Sequence, residues 1–118
     1  MNRRKEALEA LIRYEHAAPG MLEQLREFPF DWKGPPLATL TVGNVIHVLD
    51  AFLEGSINAE QLTVWGDVLE GRDDLALEHA HETKLRDVIF RIATPEVNEA
   101  LSVELVAQMR MELYESVS

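Results

Sequence analysis

The sequence predicts an all-α fold, a compact bundle of five to six helices with one irregular crossover rich in proline and aromatic residues. Three observations predict it. Apolar residues recur at three- and four-residue spacing along most of the chain, which puts them on one face of a helix. Cap residues and glycines punctuate those stretches at helical lengths. Period-two alternation, the mark of a half-buried strand, is poor throughout. With 118 residues, 47% of them hydrophobic, the chain is long enough for a single helical domain over residues 1–118 with a core of its own.

The first helix is expected from about Arg3 to Ala18. Ala7, Leu8, Leu11, Ile12 and Tyr14 form its apolar stripe, with Glu6, Glu9 and Arg13 outside it. Pro19-Gly20 breaks it, and Pro19 suits the opening of a second, short helix through Phe28, on which Met21, Leu22, Leu25 and Phe28 repeat. Residues 30–40 are the least regular. Pro29, Gly34, Pro35 and Pro36 favour extended backbone, while Phe28, Phe30 and Trp32 argue for a crossover packed down on the core, not a linker between domains.

Thr41 is placed to cap a third helix to about Glu54, its hydroxyl accepting a main-chain N–H that the helix start leaves unpaired. Val42, Val45, Ile46, Leu49, Phe52 and Leu53 give that helix a broad apolar face, and Gly55 stops it. Asn58 or Ser56 caps a fourth helix, marked by Ile57, Leu62, Trp65, Val68 and Leu69 and closed by Gly71. Asp73 or Asp74 starts the longest helix, through about Ala93, because negative side chains suit the positive end of the helix dipole. Leu85, Val88, Ile89 and Ile92 are its core stripe, with Leu75 and Leu77 packed near its start. Thr94-Pro95 ends it, and Pro95 opens a single turn through Ala100. Ser102 caps a final helix to about Ser116, with Val103, Val106, Met109 or Arg110, and Leu113 turned inward.

Charge excludes several classes of function. The chain has 21 acidic and 11 basic side chains, a formal charge of −10, which argues against nucleic-acid binding, where a basic footprint is expected. The absence of cysteine removes disulfides, thiolate metal sites and cysteine nucleophiles. No apolar run approaches the roughly 20 residues that span a bilayer. The charged stretch Met1 to Glu6 leads into an amphipathic pattern, not a signal-peptide core. The expectation is a soluble, cytoplasmic protein with no membrane partner.

The placement of the charge is more informative than its sum. Residues 1–13 carry a net charge of +2, whereas residues 34–83 carry nine acids against Arg72 alone, a net of −8. Such a patch attracts basic partners and speeds encounter with them, although an acidic surface also serves solubility by itself.

Catalytic and metal chemistry find little support. Glu78, His81 and Glu82 would share one face of a helix at i, i+3 and i+4, but a di-iron bundle needs two Glu-x-x-His units, and His81-Glu82 is followed by Thr83-Lys84-Leu85, not by the zinc pattern HExxH. A calcium loop registered on Gly71 puts Gly66 at its first position and Leu77 at its last, where ligands are required. Phosphate loops, dinucleotide glycine fingerprints and nucleophile elbows are absent. His16 is a single histidine, and His47, near the apolar face of the third helix, reads as a packing residue. Trp65 reads as core, while Trp32 reads as core cover ahead of an exposed interface anchor. The chain is therefore expected to be no enzyme, with no catalytic residue, no metal ligand and no cofactor.

A resemblance adds to this reading. Leu40-Thr41 into Val45-Ile46, Phe52-Leu53-Glu54-Gly55, Trp65 and Leu69-Glu70-Gly71-Arg72-Asp73-Asp74 resemble a group of small helical bacterial proteins. The likeness continues through Ile89-Phe90 and Ala93-Thr94-Pro95-Glu96-Val97-Asn98, covering about residues 28–105. That group is similar to the immunity proteins that accompany polymorphic or contact-dependent toxins. The resemblance implies an inhibitor that acts by binding, and it contains no catalytic motif from which a residue role could be carried over.

The expected function is thus a small acidic protein-binding domain, an immunity protein that occludes the basic surface of a cognate toxin, possessing a partner such as a nuclease-type toxin domain. Glu54, Glu60, Asp67, Glu70, Asp73, Asp74 and Glu78 form the expected steering set. The alternative is a self-associating structural or regulatory helical module using an apolar patch around Phe30, Trp32 and Leu37. A third reading, a metal-dependent hydrolase, would use Glu78, His81 and Glu82.

Overall fold

Most of the expected apolar stripes do become helix faces, and the expected start of the longest helix becomes a strand. The computed structural model describes residues 3–13, 33–70, 72–95 and 100–117. In chain order these form α1 (Arg3–Arg13), β1 (Ala38–Leu40), α2 (Val42–Leu53), α3 (Ala59–Leu69), β2 (Leu75–Leu77), a short 3-10 turn (His79–His81), α4 (Glu82–Ala93) and α5 (Val103–Val117). The fold is mostly helical but not purely so. The expected second helix through Phe28, the rings of Phe30 and Trp32, the stop at Gly71 and most of the turn between Pro95 and Ala100 lie outside the described residues, as do Tyr14 and His16.

The caps that bound α2 and α3 follow directly from local chemistry. Thr41 Oγ1 accepts from Asn44 N–H at 3.1 Å while Asn44 Oδ1 accepts from Thr41 N–H at 2.9 Å, so two otherwise unpaired donors are satisfied reciprocally. Asn58, not Ser56, does the same for α3 with Gln61, both bonds measuring 2.8 Å. Between these helices Gly55 takes φ of +83°, a left-handed conformation that side chains with a Cβ rarely adopt. Ser102 Oγ accepts from Leu105 N–H at 3.1 Å and caps α5.

The core is one cluster of apolar side chains drawn from every helix. Leu8, Leu11 and Ile12 of α1 are buried, as are Val42, Val45, Val48 and Leu49 of α2 and Leu62, Trp65 and Leu69 of α3. Helix α2 packs chiefly on α5, and α3 on α4. Trp65 joins the layers: its ring is buried, and its Nε1–H donates to the Leu11 carbonyl at 2.8 Å. On α5 the buried side chains are Leu105, Val106, Met109 and Leu113, whereas Val103 is 58% exposed. Val103 therefore corrects the sequence expectation, because it stands at the first helical position and off the face those four residues define. His47 is a second correction, being exposed and not packed.

The long helix expected from Asp73 or Asp74 is the main correction. Leu75–Leu77 pairs in parallel with Ala38–Leu40, with Ala38 opposite Leu75 and Leu40 opposite Leu77. Helix α4 begins only at Glu82. Three forces hold residues 72–78 away from a helix. The Asp74 carboxylate is drawn inside to Arg72, the Asp74 carbonyl accepts from Leu37 N–H at 2.8 Å, and Glu78 N–H donates to the Leu40 carbonyl at 2.9 Å. Local preference for a helix start yields here to tertiary pairing.

Candidate binding surface

The seven expected steering acids divide into those that face solvent and those that hold the fold. Asp74 is completely buried and receives two parallel bonds from Arg72, Nε to Oδ1 at 2.9 Å and Nη2 to Oδ2 at 3.0 Å. Planar guanidinium and carboxylate match in such a fork, which fixes both groups. Asp74 is accordingly an interior residue and corrects the expectation that it steers a partner. Glu78 is half-buried, and its Oε1 accepts from Val42 N–H at 2.9 Å. It thereby caps the first turn of α2 from 36 residues away in sequence.

Of the other five, four are exposed and Glu70 is half-buried. Glu54 is the exposed residue that ends α2. Glu60 and Asp67 are exposed on α3, and their spacing of two helical turns sets them on one face, with Val64 between. Glu70 follows the end of α3 and is half-buried, while Asp73 is exposed on the turn before β2. None of these five makes an ion pair among the described residues.

The charges of α4 and α5 are largely neutralised by ion pairs. Lys84 of α4 binds Glu112 of α5, and Arg91 lies 3.6 Å from the same carboxylate. The hydrogen bond from Lys84 holds the Glu112 carboxyl below its usual range, against the opposing effect of burial. Asp50 of α2 binds Arg110 of α5, and Glu82 binds Arg86 at 2.8 Å within α4. Cations are thus spent on α4 and α5, and the surplus of negative charge resides on α3 and the segments at its two ends. This asymmetry arises because residues 34–83 contain only one basic side chain, and that one is buried on Asp74.

The structure also separates the residues of the metal reading. Glu78 precedes the helix and serves Val42, His81 lies in the 3-10 turn, and Glu82 is bound to Arg86. They do not share a helix face as the sequence suggested. Among the described residues no group of three or more histidines and carboxylates is placed to hold a metal ion, and no helix is long and apolar enough to cross a membrane. Of the apolar patch considered for self-association, Leu37 is half-buried against the core. Sequence reasoning missed a different patch: Val103, Ala107, Met111 and Tyr114 are exposed along one stripe of α5. The four-, four- and three-residue spacing of that stripe was present in the sequence but was overshadowed by the inward stripe beside it.

No protein-family model matches the chain, and no curated protein or solved structure matches it.

Proposed function

We propose that this chain is a small acidic protein-binding domain, most concretely an immunity protein that neutralises a cognate bacterial toxin by covering its basic active surface. The observation that supports it is the uneven pairing of charge: Glu54, Glu60, Asp67 and Asp73 are exposed and Glu70 is half-buried, none of them in an ion pair among the described residues, while the cations of α4 and α5 are bound to carboxylates. A toxin that attacks nucleic acid needs cationic side chains to meet phosphate. An acidic face competes for those cations, speeds encounter and blocks the substrate with no covalent step. Asp74 and Glu78 contribute indirectly by fixing the strand and helix that carry the exposed acids. On this reading the protein acts in the cytoplasm of the cell that makes the toxin.

Affinity capture of the tagged full chain from its native cells, with mass spectrometry of the bound fraction, tests the proposal. The expected result is one basic protein with a nuclease-like domain, released by raised salt. Recovery of the bait alone, or of partners that resist salt, contradicts it.

One observation favours a second reading, a self-associating helical module. The α5 stripe leaves Met111 62% and Tyr114 58% exposed, an arrangement suited to isologous helix pairing. A solution mass that doubles with concentration, and that Tyr114→Lys restores to the monomer value, would distinguish it.

A further inference from the structure

β2 belongs to a two-stranded sheet and has one edge paired. The Asp74 carbonyl and the Glu78 N–H both bond toward β1, so alternate residues 74, 76 and 78 direct their main-chain groups that way. The N–H and C=O groups of Leu75 and Leu77 therefore point to the other edge. Among the described residues nothing hydrogen-bonds to them from that side. An open edge of this kind is a template for a further strand.

Beside that edge lies a groove of about 580 Å³. Its far wall is one face of α4, where Glu82, Arg86, Ile89 and Phe90 follow helical spacing. Ile89 and Leu75 are buried at its floor, and Phe90 is 43% exposed on its wall. Glu70 and Asp73 line the groove with negative charge, and its two cations, Arg72 and Arg86, are bound to Asp74 and Glu82. We infer that the free edge of β2 and the facing wall of α4 form a docking groove for an extended, basic segment of the protein partner, which adds to the sheet as a third strand. The inference rests on the proposal of a basic partner and says how that partner is held. Main-chain bonds to Leu75 and Leu77 set the register, Phe90 covers an apolar side chain, and the acids select lysine or arginine at alternate positions.

A synthetic peptide alternating valine and lysine, titrated to about 1 mM against the isotope-labelled full chain, tests this directly. The amides of Leu75 and Leu77 should shift and their hydrogen exchange should slow by about tenfold or more. The same peptide methylated at alternate amide nitrogens should lose that protection, and Glu70→Lys with Asp73→Lys should weaken binding by about tenfold. Binding that survives methylation, binding that leaves Leu75 and Leu77 unchanged, or no binding would overturn the groove. Failure of the peptide alongside a captured basic partner would overturn strand addition alone. Capture of no basic partner would overturn the reading beneath it, whatever the peptide does.

Discussion

Asp73 and Asp74 are neighbours with opposite roles, one exposed and one fully buried on Arg72. A carboxylate removed from a buried pair leaves its partner's charge in a low-dielectric interior, a loss of about 3–5 kcal/mol, whereas a surface acid is worth within about 0.5 kcal/mol. Asp74→Ala should therefore lower the unfolding free energy by that larger amount in urea titration, and Asp73→Ala should leave the midpoint nearly unchanged. Equal, small effects would show that Asp74 is a surface acid after all. For recognition the roles reverse: Asp73→Ala should slow encounter with a basic partner, while Asp74 acts only by holding β2 in place.

Helix α3 carries two of the surface acids, so its seating on α4 decides where they stand. Gly66 sits at a close approach of the two helices: a Cβ there would come within 2.6 Å of Ile92 Cγ1 and 3.2 Å of the Ala93 amide nitrogen. Ile92 is branched and fully buried, so it has little room to yield. Gly66→Ala should destabilise the fold by about 1–3 kcal/mol despite the better helix propensity of alanine, measured by thermal unfolding. A neutral or stabilising result would contradict the close approach. The caps of α2, α3 and α5 and the stripes of α3 and α4 were legible in sequence because they depend on neighbours within one or two turns. Strand β2 was not, since a three-residue alternation is too short to register as a period and its partner lies 37 residues away. The same non-locality explains Glu78, whose partner Val42 lies 36 residues away, whereas Asp74 is bound to its near neighbour Arg72 and what the sequence hid is the burial of that pair beside β2. Nothing in the sequence around Glu78 distinguishes an acid bound to the Val42 amide from one that faces water, and Arg72 stands near both exposed Asp73 and buried Asp74.

At the scale of the whole molecule, a net charge of −10 says little until it is known which charges are spent. The ion pairs of α4 and α5 cancel most of their own charge, leaving a directional field around α3 that the sequence window 34–83 indicated in outline. Fields of this kind act chiefly on association and are screened by salt within about 10 Å at ordinary ionic strength. The most direct test is the association rate with the captured partner across a salt series, comparing the natural chain with Glu60→Lys, Asp67→Lys and Asp73→Lys combined. The account predicts that reversal slows association by about tenfold or more at low salt and flattens or inverts its salt dependence. An unchanged rate and an unchanged salt slope would contradict recognition through this acidic face.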